Sequence, residues 1–181
     1  MRNTAANHRN VALVGPMGSG KSHVGRLLAE RLELAFVDLD ACIAEAAGMS
    51  IPDIFASEGE TGFRARESAA LANALSKDAH VIATGGGAVL DAGNREALRG
   101  AATVVYLQVA LDEQLRRLAG DSGRPLLQGV DRAERLAQLQ AQREPLYREV
   151  ADLAFDTGTF PPEQIADALA AWLTHGKEAR A

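Results

Sequence analysis

One octapeptide, Gly15-Pro16-Met17-Gly18-Ser19-Gly20-Lys21-Ser22, constrains this chain more than any other feature. It follows the apolar run Val11–Val14 and opens a segment, Lys21–Leu32, in which Val24, Leu27, Leu28 and Leu32 recur at helical spacing. It fits the phosphate-binding pattern G-x-x-x-x-G-K-[ST]. Glycines let successive backbone N–H groups turn toward one anion, the helix start adds the positive end of its dipole, and Lys21 adds a full charge. Two fixed glycines alone recur by chance about once in 200 windows. The lysine, the serine and the strand-to-helix setting make the match specific, against the bland alternative of a glycine-rich turn with an incidental lysine.

A strand feeding such a loop belongs to a parallel sheet, and the rest of the chain alternates accordingly. Strands are expected at Val11–Val14, Ala35–Val37, Val81–Ala83, Thr103–Gln108 and Leu153–Asp156, with helices at Lys21–Leu32, Ser68–Leu75, Asp131–Glu144 and Pro161–Leu173. The stretch 40–75 is too long for one crossover helix, so a small helical subdomain is expected there. Asp121–Val130, with Gly123, Pro125 and Gly129, has little periodicity and reads as a mobile loop. With 181 residues, 47% apolar and 24% charged, the chain is expected to form a single α/β domain over 11–175, with a flexible arm at 1–10 and a tail at 176–181. No apolar run approaches the roughly 18–20 residues that span a bilayer. The first ten residues lack a secretory signal, and the single cysteine, Cys42, cannot form an internal disulfide, so a cytoplasmic protein is expected. A net charge of −5 argues against non-specific nucleic-acid binding.

Further candidate residues cluster near strand ends. Asp38 and Asp40 close the second strand; on a strand continuing to Asp40 they share one face, where one suits a metal and the other a base. The competing reading makes Asp40 merely the N-cap of a helix over Ala41–Ala47, and the pair alone does not decide. The third strand runs into Thr84-Gly85-Gly86-Gly87, three glycines that imply close approach to the main chain or a flexible turn. No acid ends this strand, which passes any metal to Asp38. Among the 19 basic residues only Lys21, Lys77 and Lys177 are lysines, and most of the arginines read as surface. Arg124, in a glycine-flanked loop, is the exception, because a closing loop can bring a cation to a transferring phosphoryl group. Cys42 reads as a small core residue, and the four histidines, His8, His23, His80 and His175, show no metal-ligand spacing.

In their order and spacing, G-x-x-G-x-G-K-S at 15–22, D-x-D at 38–40, G-F-R at 62–64, G-G-G at 85–87, R-P-L-L at 124–127 and R-x-P-L-Y at 143–147 resemble the shikimate kinases, small kinases of the nucleoside monophosphate kinase type. The resemblance runs from Val11 to about Leu173. It implies a P-loop kinase with a five-stranded parallel sheet flanked by helices, an acceptor-binding segment at 40–75 and a lid at 120–130. It further implies phosphorylation of the 3-hydroxyl of shikimate by MgATP, by a monomer with no nucleic-acid or membrane partner. On that resemblance Gly18, Ser19, Gly20, Lys21 and Ser22 hold the nucleotide, Ser22 and Asp38 serve Mg²⁺, and Arg117 stacks on adenine. Asp40 faces the acceptor hydroxyls, Arg64 and Arg143 grip its carboxylate, Gly86 offers its backbone, and Arg124 is the lid arginine. Asp40, Lys21 and Arg124 are the catalytic set. Rival readings are a kinase of similar fold for another hydroxy acid such as gluconate, and a nucleotide-sensing module without catalysis.

Overall fold

The computed structural model describes residues 9–120, 127, 131–158 and 160–175. In chain order these form β1 (Asn10–Val14), α1 (Lys21–Leu32), β2 (Ala35–Asp38), α2 (Leu39–Ala47), α3 (Ile51–Leu75), β3 (His80–Ala83), α4 (Ala92–Ala101), β4 (Ala102–Gln108), α5 (Leu111–Leu118), α6 (Arg132–Val150), β5 (Leu153–Asp156) and α7 (Pro162–His175). A single 3₁₀ turn, Ala88–Leu90, precedes α4. The five strands pair in parallel in the order β2-β3-β1-β4-β5. The five-stranded parallel sheet flanked by helices is therefore the architecture of this chain.

Two-residue periodicity divides the core. Ala12, Val14, Ile82, Val104 and Tyr106 point to the face covered by α3, α4 and α6, while Val11, Leu13, Val81, Val105 and Leu107 point to the face covered by α1 and α7. Because both faces are covered, the middles of the inner strands, Val11–Val14, Val81–Ala83 and Val104–Leu107, are apolar on both sides. All of β1 is buried. No helix among the described residues is long and apolar enough to cross a membrane.

Several boundaries differ from the sequence expectation. β1 opens at Asn10, inside the stretch read as a flexible arm. Asn10 is buried; its amide donates to Leu75 O and Lys77 O at 3.3 and 2.7 Å and accepts from His80 N at 3.0 Å, tying β1 to the turn after α3. The helix expected at Ser68–Leu75 starts at Ile51 and kinks at Gly59, where φ is 71°. The helix expected to end at Glu144 runs through Pro145 to Val150, because Tyr147 and Val150 are buried in the core and packing there overrides the missing N–H. Cys42 lies on the exposed side of α2 rather than in the core. Residues 1–8, nearly all of the 120–130 segment, and the 176–181 tail lie outside the described residues.

Candidate active site

The strands end on one edge of the sheet, and the loops leaving that edge carry the motifs. The loop after β1 turns at Gly15, where φ is 146° and an added Cβ would collide with the carbonyl oxygen of Leu107 on β4. Only glycine lets the loop lie this close to its neighbour. At the loop's far end Gly20, in the left-handed region at φ 88°, is the N-cap of α1. The Lys21 ammonium is largely buried inside the curve, donating to the carbonyls of Gly15 and Pro16 at 2.8 Å each. Ser22, next in the first turn of α1, is exposed.

The acidic pair is arranged differently from a strand ending at Asp40. β2 stops at Asp38, and α2 begins at Leu39, so the two carboxylates do not share a strand face. Asp38, not Asp40, is the N-cap. Its Oδ1 accepts from the N–H groups of Asp40 and Ala41 at 3.1 and 3.3 Å, and its second oxygen takes no part in the cap. Asp40 sits exposed in the first turn of α2.

The three glycines after β3 explain themselves by what surrounds them. A Cβ at Gly85 would collide with Glu67 Oε1 and come within 3.1 Å of Asp40 Oδ1. At Gly87 it would collide with the Arg64 guanidinium. At Gly86 it would lie 3.6 Å from Arg143 Nη1, 3.5 Å from Met17 N and 3.6 Å from Gly15 O. Asp40, Arg64 and Arg143 thus gather around one turn, and that turn touches the phosphate-binding loop.

Burial makes this cluster electrostatically demanding. Arg64 donates to Glu67 Oε2 at 2.6 Å and to Glu60 Oε1 at 3.1 Å, and the two carboxylates outweigh the burial that opposes its charge. Glu67 is almost fully buried, and desolvation raises its pKa despite the attraction of Arg64. Arg143, at 4% exposure, has its pKa lowered by burial, with the like charge of Arg64 acting in the same direction. Its Nε has no hydrogen-bond partner. Burial also raises the Tyr147 phenol, so that Tyr147 is a donor; it bonds the carbonyl of Gly86 and holds the turn. Two close guanidiniums in a partly desolvated site favour an anion, and a carboxylate suits their planar forks.

On the other side of the phosphate-binding loop lies a cavity of about 520 Å³, whose walls include Gly18–Gly20, Arg117, Gly158 and Pro162. Arg117 donates to Gly18 O at 3.1 Å and to Thr157 O at 2.7 Å, linking the loop after β1 to the loop after β5. Glu113 fixes its Nε at 2.6 Å, and the hydrogen bonds of Arg116 and Arg117 hold that carboxylate down at about 2. His23, which shows no metal-ligand spacing, also borders this cavity. No group of three or more His, Cys, Asp and Glu side chains suited to a metal occurs among the described residues.

Arg124 lies outside the described residues. Of the other sequence candidates, Asp40, Arg64, Gly86 and Arg143 meet at the glycine turn, Gly18, Ser19 and Gly20 with Arg117 line the cavity, Lys21 turns into the curve of the loop, Ser22 is exposed at the start of α1, and Asp38 caps α2. Glu67, Glu113, Gln114 and Thr157 are placed only by the fold, and Tyr147, which closes the R-x-P-L-Y motif, gains its role there. Glu67 carried a signal in its place one helical turn after Arg64.

The shikimate kinase family model matches residues 17–174. The chain belongs to the shikimate kinase family. A shikimate kinase of Stenotrophomonas maltophilia (strain R551-3) is 55% identical over 161 residues, covering 89% of this chain and 88% of the relative. Among solved structures, shikimate kinase from Acinetobacter baumannii in complex with shikimate superposes with a TM-score of 0.91 at 44% identity, covering 93% of this chain and 94% of that one. A gluconokinase from Sinorhizobium meliloti shares only the fold, with a TM-score of 0.57 at 19% identity over 97% of this chain and 98% of that one. Membership of the shikimate kinases thus separates this chain from the kinases that share its sheet.

Proposed function

We propose that the protein transfers the γ-phosphoryl group of ATP to the 3-hydroxyl of shikimate, forming shikimate 3-phosphate. The single observation that carries this reading is the glycine turn, which borders the phosphate-binding loop on one side and is flanked by Asp40, Arg64 and Arg143 on the other. A nucleotide in the loop and an acid-bearing acceptor at the arginines would meet there.

The roles follow from the chemistry of each group. The backbone from Gly18 to Ser22 cradles the phosphates, and Lys21 supplies positive charge where negative charge accumulates in the transition state. Arg64 and Arg143 hold the acceptor carboxylate, Gly86 contributes a backbone contact, and Asp40 orients the hydroxyl and accepts its proton. Arg124 adds a second cation to the transferring phosphoryl group. Arg117 packs against the adenine. Holding two reactants in line supplies most of the acceleration, with no covalent intermediate on the enzyme.

Magnesium fits the donors available. The Ser22 hydroxyl and the Asp38 carboxylate, whose second oxygen is not used by the cap, are hard oxygen ligands, few in number, as suits an ion that keeps waters and phosphate oxygens around it. When bound, it would neutralise phosphate charge. The reading includes a cytoplasmic monomer with no nucleic-acid or membrane partner, supported by the net charge of −5 and the lone cysteine.

The test is ADP release measured with shikimate, with gluconate and with neither. Release that requires shikimate is the expected result. Gluconate-dependent release would move the protein to a different acceptor, and nucleotide binding with no turnover on either would make it a sensing module.

A further inference from the structure

Two buried polar atoms without partners belong to residues that line one small cavity between α5, α6 and the phosphate-binding loop. Gln114 on α5 is 1% exposed; its Nε2 donates to Met17 O at 2.8 Å, and its Oε1 has no partner. Arg143 on α6 leaves Nε unpaired. Both residues line the same cavity of about 10 Å³, together with Pro16, Gln140 and Tyr147. That volume is close to the least that holds one water, and a buried water needs two to four polar partners. The Gln114 amide cannot turn over, because its oxygen would then meet the Met17 carbonyl. An acceptor and a donor are therefore both presented to a space of one water's size.

We propose that a buried water bridges Gln114 Oε1 and Arg143 Nε, and that Gln114 is a positioning residue for the acceptor carboxylate. The water accepts from Arg143 Nε and donates to Gln114 Oε1, so both orphaned groups are satisfied. With Nε engaged behind it, the Arg143 guanidinium is held so that its Nη atoms face the acceptor site. The chain Met17 carbonyl, Gln114, water, Arg143 then joins the loop that binds nucleotide to the arginine that binds acceptor. This link rests on the functional reading above for the identity of the acceptor. It goes beyond that reading in naming Gln114 and the water.

The test compares wild type, Gln114→Leu and Gln114→Glu, using shikimate and an analogue whose carboxylate is replaced by a carboxamide. Gln114→Leu should raise the KM for shikimate about tenfold and that for the carboxamide much less, with kcat changed less than KM. Gln114→Glu keeps an acceptor toward Arg143 and, only as a protonated carboxyl, a donor to Met17 O, so it should recover most of the loss at low pH and little of it at high pH. A high-resolution crystal structure of the wild type should show the water on both atoms. Equal KM increases for both acceptors, an unchanged shikimate KM in Gln114→Leu, or a crystal structure with no water between the two atoms would each overturn the link. If the wild type does not use shikimate, the functional reading fails; the crystal structure alone then decides for or against the water bridge.

Discussion

Asp40 and Glu67 both border Gly85, one exposed and one almost fully buried, and this difference sets what each carboxylate can do. Asp40, in water's reach, is open to the acceptor hydroxyl. Asp40→Asn keeps the shape and removes the charge, so the shikimate-dependent rate should fall by about 10²–10⁴ with nucleotide affinity nearly unchanged. Steady-state kinetics with nucleotide titration checks this; lost nucleotide binding with intact shikimate affinity would assign Asp40 to the phosphates. Glu67 has the opposite problem, since burial raises its pKa above the ordinary value of 4.5. A carboxyl whose folded pKa is raised contributes stability that is complete below the unfolded pKa and is lost as pH rises through the folded one. Glu67→Gln removes that loss and keeps an acceptor for Arg64. The melting temperature of the unliganded variant minus that of wild type should therefore grow between pH 4.5 and 8. A constant difference would show that burial does not penalise the charge. Sequence alone exposes Asp40 through its motif but hides Glu67. A Glu three residues after an Arg reads as a surface pair worth a few tenths of a kcal/mol, and only the fold shows that this one is buried.

At the level of elements, what was legible is what local chemistry determines. Val11–Val14 and Thr103–Gln108 read as strands because a strand covered on both faces carries a continuous apolar run, here Val11–Val14 and Val104–Leu107. Helix α1 read correctly because loop motif and helical spacing agree. Helices α4 and α5 were missed: Ala92–Ala101 contains two glycines and only one fully buried leucine, and Leu111–Leu118 is half charged, so their form depends on tertiary packing. The start of α2 on Asp38 is left open by the sequence for a related reason, since either aspartate can cap a helix and only the strand's end decides. The glycines test the same distinction between backbone and side-chain constraints. Gly15→Ala sets a Cβ against a carbonyl that cannot move, at a φ that L-residues rarely adopt, so it should destabilise the protein and abolish nucleotide binding. Gly87→Ala meets only the end of Arg64, which can shift. That variant should fold normally and lose shikimate affinity by about tenfold or more with nucleotide affinity intact, as a displaced bidentate contact predicts. Binding titrations and thermal melts of the two variants separate the cases. Loss of nucleotide binding in Gly87→Ala would mean that the turn supports the phosphate loop rather than the acceptor clamp.

For the molecule as a whole, one sheet edge carries the phosphate-binding loop and the arginine cluster side by side, and coupling between the two proposed ligand sites would run through the wall they share. Gly86 faces Met17, Gly15 and Arg143 together, and Gln114 joins α5 to the same loop. The sequence revealed the parallel sheet and the order of the motifs, because each motif is local. It did not reveal the shared wall, which brings residues 17, 86, 114 and 143 together only after folding. A ligand that binds only the folded state at 100 times its Kd stabilises by about 2.7 kcal/mol. In a domain of about this size each kcal/mol shifts Tm by about 2–4 °C, so saturating shikimate or a non-hydrolysable ATP analogue should each raise Tm by roughly 5–10 °C. If the two sites were independent, both ligands together would raise it by the sum of the separate shifts. A rigid common wall gives more than the sum, since the first ligand already orders the loop and the arginine that the second requires. Thermal melts with each ligand, with both and with gluconate in place of shikimate test this directly. An excess over the sum in wild type, reduced in Gln114→Leu, is the expected pattern. A combined shift equal to the sum in both proteins would show that the wall separates the sites without coupling them, and a smaller one would show that the ligands compete for the same space.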